Sequence, residues 1–490
     1  MSIIDILSAP IDWRETAVNP DLHGFLSDLQ ANILKSHGRH HAAHIFITFA
    51  GMAETDVADI VRTLGHRCTS ALDQLRNNKN EAPHLDGGPV RCLFLAASGY
   101  KALGLATMPE GPAFKAGMEA SKDELSDPPR TDWEQSNWRD KKPDAMFLLA
   151  DQCSDRVTAD IEDAEGWLNG TGATVLFIER GLQQTRSFQK DKPEGVEHFG
   201  YVDGRSQPLF LVDAIAKELL PTDPANEPKR EENPWNPAFP PSQVVVPDPN
   251  RPGTLSAGSY FVFRKLEQNV KGFNAAEAAI AKGLFGETAS QEQKDRAGAM
   301  IVGRFEDGTP LVLRPGETKR DVRNDFSYAG DPDGLLCPFH AHIRKVNPRG
   351  DIKRTFSTKD DSAERAPIMA RRGITYGPER PHKNDDVDFG DEGVEPTKDV
   401  GLLFMAYVSD IEAQFEFTQK KWANNSSFVK KTTGIDPVIG QGPISGRRYV
   451  FQDGWTGGAA KTLSFDQFVT MMGGEYFFAP SLTFLRTIGL

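Results

Sequence analysis

Short apolar runs alternate along the chain with stretches of helical spacing. HIFITFAG (44–51) has the β-branched and aromatic make-up of a buried strand. TDVADIVRTLGH (55–66), just behind it, spaces its apolar residues as one face of a helix does. VRCLFLAASGYKALGL (90–105) predicts a strand and then a helix start. DAMFLLADQ (144–152) and ATVLFIERG (173–181) predict two further strands, with the helical stretch SDRVTADIEDAEGWLNG between them. Later the rhythm returns. GSYFVFRKLEQNVKGFNAAEAAIAKG (258–283) and LLFMAYVSDIEAQFEFTQKKWANN (402–425) each predict a strand running into a helix. Such units on both sides of a break predict α+β layers in two similar halves.

The break runs from Pro221 to Pro252 and holds ten prolines. Proline removes a backbone donor and fixes φ, so this stretch predicts an irregular connection. It divides the chain into 1–220, a connection 221–253, and 254–490. The acidic, glycine-dotted stretch from Gly377 to Asp399 predicts a surface loop. The 490 residues carry a net charge of −13 with 39% hydrophobic residues. That is enough apolar material for real cores, and the acidic balance excludes nucleic-acid binding by phosphate neutralisation and docking on anionic membranes. Cys68, Cys92, Cys153 and Cys337 form no CxxC pair and read as buried thiols. No run approaches the ~18 apolar residues of a membrane span. The opening MSIIDILSAPIDWRETAVNP has neither a basic n-region nor a long apolar run, so the expected location is the cytoplasm.

Three stretches carry candidate chemistry. In CPFHAHIRKVNPR (337–349), a strand would place His340, His342 and Arg344 on one face. Either imidazole could ligate iron, and one axial histidine suffices for haem. The plain alternative is a packed or surface ring. In HFGYVDGRSQP (198–208), Asp203 precedes a glycine: a turn, or a carboxylate at a turn that accepts and returns a proton. In IMARRGITYGP (368–378), Arg371 and Arg372 read as a solvated strand end, or as a cation beside a reactive centre. The His37, His40, His41, His44 cluster leads into a strand, which sends His41 and His44 to opposite faces and argues against a metal site. Phosphate loops of the GxGxxG or GxxxxGK[ST] type and a GxSxG elbow are missing.

Taken together these stretches resemble the dye-decolourising peroxidase family of haem enzymes. Gly200-Tyr201-Val202-Asp203-Gly204 matches its GxxDG signature, Ala341 to Arg349 its AHIRK(x)NPR stretch, and Arg371 to Pro378 its RxG(x)xYGP stretch. Flanking likeness extends from about residue 25 to 485. The resemblance implies two ferredoxin-like α+β domains of the dimeric α+β barrel superfamily, each an antiparallel sheet with flanking helices, haem sitting in the second. It implies one haem b per chain, with His342 the axial ligand of the iron. Asp203 and Arg371 are the implied catalytic residues, with Arg372 the alternative if the register slips by one. Asp203, Gly204, Arg205, Arg371 and Phe404 join His342 in holding the cofactor. A carboxylate behind the ligand histidine is expected at Asp410, with Glu412 its competitor. The implied activity is oxidation of dyes and phenols by hydrogen peroxide, in one-electron steps through an oxoferryl haem. A carboxylate in the distal role suits acid, where an imidazole would be protonated. Trp422 and Tyr376 are candidates for carrying electrons outward. Expected partners are peroxide and small aromatic reductants, and a homodimer is the common assembly. The alternative is a haem carrier or haem-modifying protein, which needs neither Asp203 nor Arg371.

Overall fold

A computed structural model describes residues 2–77, 86–189, 192–219, 235–318, 324–379 and 395–490. Most of the expected acidic loop (380–394) and the start of the proline-rich connection (220–234) lie outside these residues. The first half runs β1 (His41–Thr48), α1 (Glu54–Arg67), β2 (Val90–Leu95), β3 (Ala145–Asp151), α2 (Ser154–Asn169) and β4 (Thr174–Leu182). The second runs β5 (Ala257–Gln268), α3 (Val270–Phe285), α4 (Gln291–Val302), α5 (His342–Val346), β6 (Ile374–Tyr376), β7 (Gly401–Val408), β8 (Val469–Ala479) and α6 (Leu482–Thr487). Local chemistry fixes the helix ends. Asn269 accepts the Gly272 N–H to open α3, and Ser290 with Gln293 forms a capping box that opens α4.

The strands pair antiparallel in the order β6-β7-β5-β8-β2-β3-β1-β4. Each half thus follows the ferredoxin-like order of second, third, first and fourth strand. The halves join where β8 meets β2, with Phe478 opposite Leu95. At the other end Thr375 of β6 reaches β4: its Oγ1 accepts the Gln184 N–H at 3.0 Å and donates to the Leu182 carbonyl. Ile374 packs so closely on Gly181 that a Cβ there would come within 2.5 Å of it. Both joins bring the second strand of one half to the fourth of the other, so the sheet closes into a barrel.

Strand alternation on β5 separates two environments. Phe261, Phe263 and Lys265 face the barrel core, where Phe261 meets Phe94 at 4.3 Å between ring centres and Phe263 meets Phe46 at 5.1 Å. Burying such a ring is worth about 2 kcal/mol. Lys265 is held in this core by Glu179 and Glu134, at 2.9 and 2.8 Å. Arg264, Leu266 and Gln268 face the other way, into a cavity between the sheet and the loops of the second half. The last residues dock on the first half. Arg486 donates to the carbonyls of Gly65 and Cys68 and Arg62 to that of Ile488, while Leu482 and Leu485 are fully buried. Among the described residues, no helix is long and apolar enough to cross a membrane.

Candidate active site

The cavity measures about 230 Å³. Its walls draw on the outer face of β5 and β7, the turn 197–206, α5 and the segment 438–441. His342 lies on it as the first residue of α5. Here a strand expectation gives way. A turn, closed by the Ala341 N–H on the Pro338 carbonyl, leads straight into α5, so two-residue alternation never applies. His340 is buried instead, its ring 4.9 Å from that of Tyr449 and 5.0 Å from that of Phe451. Burial and then the Lys345 cation pull its pKa down to about 3, so it stays neutral, and it does not line the cavity.

His342 Nδ1 stands 2.8 Å from Asp436 Oδ2. Asp436 is fully buried, and its Oδ1 accepts the N–H groups of Val438 and Ile439 at 2.8 and 2.9 Å. Burial opposes its charge, but the His342 ring and those N–H groups prevail and hold its pKa below the ordinary value. A carboxylate at Nδ1 keeps the ring proton there and leaves Nε2 as a lone-pair donor. The carboxylates expected in this place are elsewhere. Asp410 is exposed and caps the helical segment Ile411–Glu416 by accepting the Ala413 N–H at 2.8 Å. Glu412 accepts the Ala113 N–H at 3.1 Å. An aspartate just past a strand is a natural N-cap, and that use claims Asp410.

Asp203, Gly204, Arg205, Arg371 and Phe404 all line the cavity. Asp203 rides on a turn tied by its N–H to the Gly195 carbonyl, and Gly204 takes a φ of +78° to complete it. Arg371 comes from a two-residue strand paired on β7 opposite Ala406. Its Nη2 donates to the Arg205 carbonyl at 2.7 Å, and its Nη1 stands 3.9 Å from Asp203 Oδ1. Arg372 points away, donating to the carbonyls of Asn32 and Ile33 at 2.7 Å each, so it braces the first half. Phe404 and Leu402 reach the cavity by the alternation of β7.

The multifunctional dye peroxidase DyP2 of Amycolatopsis sp. is 42% identical, over 98% of this chain and 99% of its own. The chain belongs to the dye-decolourising peroxidase family. Among solved structures, the DyP-type peroxidase of Anabaena sp. superposes with a TM-score of 0.86 at 33% identity, covering 99% of both chains. A dye-decolourising peroxidase solved with 2,6-dimethoxyphenol gives 0.71 at 25% identity, covering 95% of this chain and 99% of its own. No family model matches.

Members of this family are haem proteins, and the peroxidase has the donor set for that group. Beyond the imidazole, Leu266, Ile343, Leu402, Val438 and Val469 supply apolar wall, while Arg205, Arg304, Arg349 and Arg371 line the same space. Arg304 is buried and spends its N–H groups on Gly308, Ser206 and Asn324, all neutral acceptors. Burial, then Arg349 and Arg205, pull its pKa down to about 9. Such crowding of cations suits a ligand with anionic arms, as porphyrin propionates are.

The basic motif on α5 is a hub. Arg344 pairs with Asp331 and Asp351 at 2.7 Å each, under the rings of Tyr328 and Phe339. Arg349 donates to the carbonyls of Asn324 and Phe326 and to Ser206. Neither aromatic proposed as an electron exit is at the surface. Trp422 is 2% exposed and stacks on Phe428, and Tyr376 is 7% exposed beneath Lys265. Among the described residues no cluster of three or more His, Cys, Asp or Glu could hold a metal ion, the His37–His44 group included.

Proposed function

We propose that this peroxidase holds one haem b through His342 and uses it to oxidise dyes and phenols with hydrogen peroxide. The observation that carries the reading is a single cavity lined by His342, backed by Asp436, and by the Asp203–Arg371 pair. Bound haem supplies an iron that takes oxidising equivalents from peroxide and passes them on as single electrons. Asp436 anchors the Nδ1 proton, so Nε2 of His342 remains free to bind metal, and the negative charge behind the ring strengthens it as a donor. Asp203 accepts the proton from one peroxide oxygen and returns it to the other, which leaves as water. Arg371 sets cationic N–H donors beside the oxygen that gathers negative charge. A relative bound to a dimethoxyphenol supports phenols as reductants. A carrier would hold haem without Asp203 or Arg371, so their joint presence favours a peroxidase.

The test is the visible spectrum of the haem-loaded protein before and after one equivalent of hydrogen peroxide. A Soret band that changes with peroxide and is restored by a dye or phenol is expected. Asp203→Asn should keep the haem and slow the peroxide reaction by ~10²–10⁴-fold. Reaction at the wild-type rate in that variant removes Asp203 from the mechanism, and a Soret band blind to peroxide removes the function.

A further inference from the structure

Lys345 lies one helical turn beyond His342 on α5, and its side chain is buried. Its Nζ donates to the carbonyls of Asn425 at 2.8 Å, Phe428 at 3.0 Å and Gly434 at 2.7 Å. An ammonium has three N–H groups, so all are engaged by backbone oxygens. A buried cation is tolerated only with its hydrogen bonds made, which makes this clasp an expensive one to build merely to tie down a surface loop.

What the clasp holds is the chain that delivers Asp436. The three carbonyls lie at the start, middle and end of 425–434, a segment with neither helix nor strand. Its other backbone ties are Asn425 to Trp422, Phe428 to Asn425, Gly434 to Ser426 and Thr433 to Lys430, and just past it the Asp436 N–H donates to the Ala423 carbonyl at 2.7 Å. Gly434 takes a φ of +91° and lies against Tyr449, where a Cβ would stand 2.9 Å from the ring. Two residues on, Asp436 meets His342 at 2.8 Å. One short helix thus carries both the imidazole and the cation that fastens the segment leading to its carboxylate.

We infer that Lys345 is a positioning residue of the proximal pair: by clasping 425–434 to the helix of His342, it holds Asp436 Oδ2 on His342 Nδ1 and so sets the donor strength of the imidazole. The inference rests on the proposed reading of His342 as the haem ligand. A hydrogen bond weakens steeply with distance and angle, so a small drift of the segment is enough to change it.

The experiment compares Lys345→Met, Asp436→Asn and the double variant as haem-loaded proteins. The readouts are the iron–imidazole stretching band of the ferrous form by resonance Raman, and the ferric/ferrous midpoint potential. Asp436→Asn should lower the band and raise the potential, because the ring loses its anionic partner. Lys345→Met should move both the same way by a smaller amount. The double variant should match Asp436→Asn alone, since Lys345 acts through Asp436. A Lys345→Met protein that melts earlier but keeps the wild-type band and potential overturns the inference, leaving only a loop anchor. Wild-type values in Asp436→Asn would instead overturn the reading of His342 and Asp436 beneath it. Should Lys345→Met fail to fold, Gly434→Ala shifts the third carbonyl from the far side and should give the same small displacement. Wild-type values there count against the proposal.

Discussion

Glu197 closes the turn that carries Asp203. Its carboxylate accepts the N–H groups of Phe199 and Tyr201 at 2.9 and 3.0 Å and that of the Gln268 side chain. Burial, with Asp203 adding its charge, outweighs those bonds and pushes its pKa from 4.5 up to about 7. The folded state therefore favours the protonated acid. This contribution is complete below the unfolded pKa near 4.5 and is lost as the pH rises through about 7, on the order of 3 kcal/mol in all. Thermal melting from about pH 5 to pH 8 should show stability falling across that window. Glu197→Gln should flatten the fall, and an unchanged decline would assign it to another group. At this scale the sequence shows what is locally encoded. Asp203, His342 and Arg371 each sit in a short motif whose neighbours shape their surroundings. Asp436 lies 94 residues from the ring it serves, and its own neighbours, Ile435 and Pro437, look like an ordinary turn. Nothing local distinguishes it from Asp410, whose carboxylate is taken by a helix end.

Elements made by their own composition were legible, and those made by packing were not. β1 to β5 and β7 are built on short apolar runs, and their bounds fall within a few residues of the sequence expectation. β8 contains Gly473 and Gly474, which weaken any strand signal. Gly473 is there because a Cβ would stand 2.0 Å from Trp138, so the reason lies in another part of the chain. β6 is three residues long and makes sense only as the strand that closes the barrel. That closure is open to test. Thr375→Val keeps the shape of the side chain but removes the hydroxyl that accepts the Gln184 N–H and donates to the Leu182 carbonyl, two hydrogen bonds worth about 1–3 kcal/mol together. Denaturant unfolding should report a loss of that size, and full stability in the variant would remove Thr375 from the closure.

The molecule is one barrel shared by two halves, and the halves hold each other by their ends. Leu482, Phe484 and Leu485 are buried against the first half, so removing residues 481–490 should cost several kcal/mol, at about 2 kcal/mol for each large apolar side chain. The expected result is a lower melting temperature together with faster protease cutting inside residues 54–67 of the first half. Cutting confined to the second half would show that the tail does not brace α1. The duplicated rhythm of the sequence announced two similar halves, yet not that they would close on each other, because the joining pairs carry no local signal.

The place of β8 between β5 and β2 also sets an order of events during synthesis. Among the eight barrel strands it comes last in chain order, and until it is made both neighbours present an unpaired edge. Such edges invite pairing with other chains. The folding chain is therefore most exposed before β8 pairs, and a chain cut ahead of β8 carries two open seams that fit each other's copies.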